Sequence, residues 1–137
     1  MSIKIICMKS TKLFLSLLLS VLVFQTFAQS NETAVAHKWI IQSITVNGAA
    51  DADRYPVNND VMQFNADHSF HSVDNTYNSQ DDGHWKLIDP NTVQMDVMRN
   101  GQMKTYTMKI ISVNAQQLIL QFQNSDGETV QMTLKIS

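Results

Sequence analysis

The sequence predicts an all-β chain, a meander of antiparallel strands closed into a barrel or folded into a sandwich. Three observations predict it. About eight segments alternate apolar and polar residues, at intervals of roughly 8–12 residues. Turn signals such as Asn47-Gly48, Asn100-Gly101 and Asp126-Gly127 separate them. No segment reads convincingly as a helix. Closure is favoured physically, because an open meander with no helix over its ends leaves two aggregation-prone edges.

The first residues read as an address. Lys4, Lys9 and Lys12 form a positive n-region, and residues 13–24 are apolar apart from small serines. Met8-Lys9-Ser10-Thr11-Lys12 is by itself a complete n-region. Thr26-Phe27-Ala28 places small residues at the −3 and −1 positions of a cleavage site, so residues 1–28 are expected to be a cleavable signal peptide. The apolar run is about a dozen residues, against the roughly 20 a membrane span needs. The chain is therefore expected to be exported, periplasmic or secreted, with no transmembrane segment in its mature part. Cys7 is the only cysteine and would leave with the signal. The mature domain then has no disulfide, no thiol nucleophile and no thiolate metal site.

About 109 residues remain, enough for one domain with one core. Loss of the three lysines leaves seven basic residues against twelve acidic, a net charge near −5. That balance gives no electrostatic footprint for nucleic acid or for anionic lipid.

The elements follow in order. Residues 29–35 are polar and are expected to fray. Residues 36–46 form a first strand, with Trp39, Ile41 and Ser43 on one face and Ile40, Gln42 and Ile44 on the other. Asn47-Gly48 ends it. Residues 49–59 read as a long loop, rich in Asp and Asn with Tyr55-Pro56 inside it. Residues 61–65 form a strand with Met62 and Phe64 on one face, 66–68 turn, and 69–74 return carrying Phe70. Residues 75–82 read as a second loop. Asp82-Gly83 is a turn signal opening a strand in which Trp85 and Leu87 share a face; Asp89-Pro90-Asn91 closes it. Residues 92–98 alternate Val93, Met95 and Val97. Arg99-Asn100-Gly101-Gln102 is the clearest hairpin turn, since Asn-Gly accepts the positive φ values of a type I′ turn. Residues 103–112 return with Tyr106, Met108 and Ile110. Residues 117–123 alternate Leu118, Leu120 and Phe122, and 128–136 alternate Val130, Met132, Leu134 and Ile136.

These residues resemble a known family. Ala36-His37-Lys38-Trp39, the Phe-x-x-Asp-x-x-Phe hairpin from Phe64 to Phe70, Gly83-His84-Trp85 and Leu118-Ile119-Leu120 are similar to the small lipocalin-like domain family of exported bacterial envelope proteins. The resemblance spans residues 36–137. It implies an eight-stranded up-and-down barrel and, by extension from lipocalins, a small hydrophobic molecule bound inside. Two positions depart from the pattern. His68 stands where the family tends to have Gly after the hairpin Asp, and His37 stands where a Gly commonly precedes the Trp.

The candidate lining is the inward face: Trp39, Phe64, Phe70, Trp85, Met95, Tyr106, Met108, Phe122 and Met132. It predicts a cavity of about 300 Å3 or more, the lower end for ligand pockets. Other chemistry is less well supported. His68-x-x-His71 brackets a turn and a strand start, not a helix face, and lacks the spacing of a helical metal pair. The methionines fall on apolar strand faces, where a flexible thioether fills gaps. No loop has the residue order of a calcium site. No nucleophile–base–orienter set stands out, so neither an enzyme nor a cofactor is expected. The alternative is a solid barrel or sandwich acting on a protein partner of the envelope through its loops and outer face. Its exposed apolar residues would be Ile40, Ile44, Ile88, Met98, Ile111 and Ile119.

Overall fold

A computed structural model describes residues 31–137. The expected signal peptide, residues 1–28, lies outside the described residues. Nine strands follow in chain order: β1 (Lys38–Val46), β2 (Ala49–Ala50), β3 (Val61–Phe64), β4 (Ser69–Asp74), β5 (Ser79–Asp89), β6 (Thr92–Arg99), β7 (Gln102–Val113), β8 (Gln117–Gln123) and β9 (Thr129–Ile136). Each strand from β3 to β9 pairs antiparallel with the next, and β1 pairs with both β3 and β9. The result is a closed eight-stranded antiparallel barrel with one extra two-residue strand. Closure satisfies both edges of the meander. No helix among the described residues is long and apolar enough to cross a membrane.

The two seams of β1 differ. Against β9 it pairs from Trp39↔Ile136 to Val46↔Val130. Against β3 only Lys38, Ile40 and Trp39 find partners. Ile41 N–H then donates to Asp60 C=O at 2.8 Å, and the far end of β1 turns to β2 instead. The barrel is therefore tightly stitched at one end and looser at the other.

At the stitched end sits the core. Trp39, Phe64, Leu118, Leu134 and Val35 are almost fully buried. Phe64 packs edge-on against Trp85 at 5.4 Å and tilted against Phe70 at 5.1 Å. Such pairs add to the area they bury. Both indole N–H groups are satisfied: Trp39 Nε1 donates to Val35 O and Trp85 Nε1 to Asn65 O, each at 2.9 Å.

Five expectations are corrected. Residues 31–35 do not fray; they form a helical turn that plugs the stitched end, with Val35 fully buried. Asn31 Nδ2 donates to Pro90 O at 2.6 Å and Glu32 pairs with His68, tying the turn to two hairpins. Second, β1 does not alternate throughout. A bulge between Ile41 and Ser43 lets Ile44 and Val46 join Trp39 and Ile41 inside, so Ile44 leaves the outer patch. Third, residues 49–59 are not all loop, because Asn47 and Gly48 both take positive φ and return the chain as β2. Fourth, the loop 75–82 shrinks to a turn at 75–78, and β5 starts at Ser79. Its polar residues mislead because they sit where the barrel meets water. Fifth, Gly83 is no turn residue. It lies inside β5 opposite Phe70 and Val97. A Cβ there would stand 1.9 Å from Asp96 O, so the close approach of two backbones requires glycine.

The His68 departure has a local explanation. His68 adopts φ 69° at the β3–β4 turn, a region that usually favours glycine. Its ring lies 5.3 Å from Trp85 and it pairs with Glu32. The side chain thus recovers, in packing over the plug, part of what the backbone loses.

Candidate ligand-binding site

The barrel is filled at the plugged end and hollow at the other. Strand direction places four connections around the hollow end: 47–48, 75–78, 100–101 and 124–127, together with the segment 51–60. A cavity of about 250 Å3 opens there, somewhat below the expected size. Its floor is apolar, made by Ile41, Met62, Phe70, Met95, Val97, Phe122 and Met132, with Met108 and Tyr106 on the wall. Two depressions of about 400 and 440 Å3 lie outside the barrel, one beside the helical turn and one on the outer face of β4 to β6. The interior cavity is the better candidate, because side chains from all eight barrel strands converge on it.

Of the nine residues expected to line a ligand site, Phe70, Met95, Tyr106, Met108, Phe122 and Met132 border this cavity. Trp39, Phe64 and Trp85 do not. They belong to the packed end, where Val35 and the helical turn occupy the space a ligand would need. Tyr106 faces inward opposite Met95 yet stays 36% exposed, because it stands at the opening.

The rim carries polar groups that the apolar pattern passes over. Asp60, Ser72, Asp74, Ser79, Asp81 and Arg99 all line the cavity. A signal for each of them exists in the sequence. Continuing the two-residue period beyond each apolar run gives Phe70-Ser72-Asp74, Trp85-Gly83-Asp81-Ser79 and Met95-Val97-Arg99. The inward face simply turns polar as it reaches the mouth. Asp60 carries the same signal, since Phe64-Met62-Asp60 continues the inward period of β3 toward the mouth.

The electrostatics of the rim are specific. Arg99 Nη2 donates to Asp81 Oδ2 at 2.5 Å, which pushes the Arg99 pKa up. Asp74 Oδ1 accepts from the N–H groups of Thr76 and Tyr77 and so caps its turn. Asp60 is buried. Desolvation pushes its carboxyl pKa up, against the Asn75 N–H that donates to Oδ1 at 2.8 Å.

The segment 51–60 is pinned from both sides of the mouth. Asn75 Nδ2 donates to the carbonyls of Asn58 and Asn59. Arg54 donates to both carboxylate oxygens of Glu128, at 2.8 and 3.2 Å, and through Nε to Asp51 at 2.7 Å. The Arg54 guanidinium holds the Glu128 carboxyl down to about 2, from an ordinary 4.5. A depressed carboxylate contributes stability above its unfolded pKa and loses it as pH falls through the folded one. The Arg54–Glu128 tie should therefore weaken as pH falls from about 4.5 to about 2. A carbon-detected NMR titration of the Glu128 carboxyl should show the low midpoint, and Arg54→Ala should return it toward the ordinary glutamate range. An unchanged midpoint in that variant would show that Arg54 does not hold the group.

No protein-family profile matches the sequence, and no curated protein does. The structure is similar to the crystal structure of a lipocalin-like protein from Bacteroides uniformis ATCC 8492, with a TM-score of 0.58 at 12% identity, covering 76% of this chain and 99% of that one. At that identity the likeness concerns the fold, and the fold of this chain is lipocalin-like. No metal-binding group of three or more His, Cys, Asp or Glu occurs among the described residues.

Proposed function

We propose that this protein is an exported carrier that holds a small hydrophobic or amphipathic molecule in the open end of its barrel. The observation that carries the proposal is the asymmetry of the interior. One end is packed solid behind the helical turn, while the other keeps a cavity of about 250 Å3 floored by methionine and aromatic side chains. Methionines suit a wall that adapts to varied apolar shapes. At about 30 Å3 per water-sized group, the space takes roughly eight non-hydrogen atoms, so a ligand is short or only partly enclosed. Export is supported by the n-region, apolar run and Thr26-Phe27-Ala28.

Native mass spectrometry of the protein purified from its own envelope, followed by organic extraction, tests the proposal. A recurrent adduct that extraction removes is expected. Met108→Trp should fill the cavity from a partly buried wall position, keep the barrel folded by circular dichroism, and weaken binding of an apolar fluorescent probe at least about tenfold. Unchanged probe binding in a folded Met108→Trp variant would place the ligand elsewhere.

A further inference from the structure

We propose that the cavity selects amphipathic cations, with a protonated amine held at Asp60 and a short apolar tail laid against the methionines. This rests on the carrier reading above and names the ligand chemistry of the same site.

Asp60 is the central observation. It is the one buried charged residue among the described residues, 9% exposed, and it lines the cavity. Its Oδ1 accepts from Asn75 N–H. Its Oδ2 accepts no hydrogen bond from the described residues, yet it is not sealed off from solvent. The acceptor capacity of that oxygen is left to solvent at the mouth, above the apolar floor. A donor cation entering through the mouth would take up that capacity.

The surrounding charges point the same way. Asp60, Asp74 and Asp81 line the rim against one guanidinium, Arg99. Arg99 is already engaged by Asp81 through two contacts, at 2.5 and 3.4 Å. An anionic headgroup would meet two uncompensated carboxylates, or would have to take Arg99 from Asp81 and strand a third. A cationic headgroup meets neither obstacle, and its hydrogen bond to Asp60 is charge-assisted. Below the headgroup, Met62, Met95 and Met132 form the apolar floor. The cavity volume suits a tail of roughly eight carbons or fewer.

Three probes of nearly equal apolar size separate the alternatives: octylammonium, octanol and octanoate. Binding is read at pH 7 from the methyl resonances of 13C-labelled methionines. Octylammonium should bind about tenfold more tightly than octanol, and octanoate more weakly still. Asp60→Asn keeps an acceptor for Asn75 N–H. It should bring octylammonium to the level of octanol. If octanoate binds as well as octylammonium, or Asp60→Asn leaves octylammonium binding intact, cation selection is overturned while the carrier stands. If no probe shifts a methionine methyl, the carrier reading fails with it.

Discussion

Trp39→Ala is expected to cost about 3–5 kcal/mol of folding stability, the range for emptying a buried aromatic site. Trp39 is fully buried at the plugged end, between the start of β1 and the helical turn. Its removal leaves a void that neighbouring strands cannot collapse into, because the barrel backbone is closed around it. It also deprives Val35 O of the indole donor. A small domain has about 5–15 kcal/mol in total, so the variant should sit near the edge of folding at room temperature. Trp39→Phe separates the contributions. It keeps most of the volume and loses the hydrogen bond, so a cost of about 1 kcal/mol beyond the volume change is expected. Urea unfolding followed by far-ultraviolet circular dichroism measures both. A Trp39→Ala loss below about 1 kcal/mol would mean that the helical turn is not part of the folded unit.

Gly83→Ala is the second large effect, expected at about 3 kcal/mol, at the upper end for inserting one methyl where there is no room. The added Cβ would meet the Asp96 carbonyl oxygen at 1.9 Å, and backbone cannot rotate away as a side chain tip can. β5 and β6 would have to separate at the Gly83↔Val97 pair, near the mouth end of their ladder. The useful comparison is Gly101→Ala. Gly101 has φ 75° and open space around it, so that variant suffers only the left-handed strain, about 1–2 kcal/mol. If urea midpoints show the two variants equal, the backbones at Gly83 are not as close as the structure places them.

These two sites show how far the residue pattern reaches. Trp39 is legible as a core residue from alternation alone. Gly83 is not, because Asp82-Gly83 is a strong turn signal taken locally. What overrides it is the pairing of β5 with both neighbours, a non-local fact. The same contrast runs through the site. Phe70, Met95 and Met132 are recognisable as inward residues, but so are Trp39, Phe64 and Trp85. Nothing in periodicity tells which end of a barrel is hollow. That depends on Val35 and the turn at 31–35, a polar segment whose single buried valine carries little pattern of its own. Asp60 is a mixed case: it continues the inward period of Phe64 and Met62, but its contacts with Ile41 N–H and Asn75 N–H, distant in the chain, are not legible there.

The sequence by itself determined the strand count to within one short strand, the Asn100-Gly101 hairpin, the order of the meander and the inward residues of β6, β8 and β9. These follow from period-two alternation and turn chemistry, which are local and need no partner. Tertiary structure alone decided that the barrel closes through β1, that β1 bulges to bring Ile44 inside, that the helical turn plugs one end, and that Asp60, Asp81 and Arg99 meet at the other. Each of these is a contact between residues far apart in the chain. Such contacts form only where the closed sheet brings the backbones together.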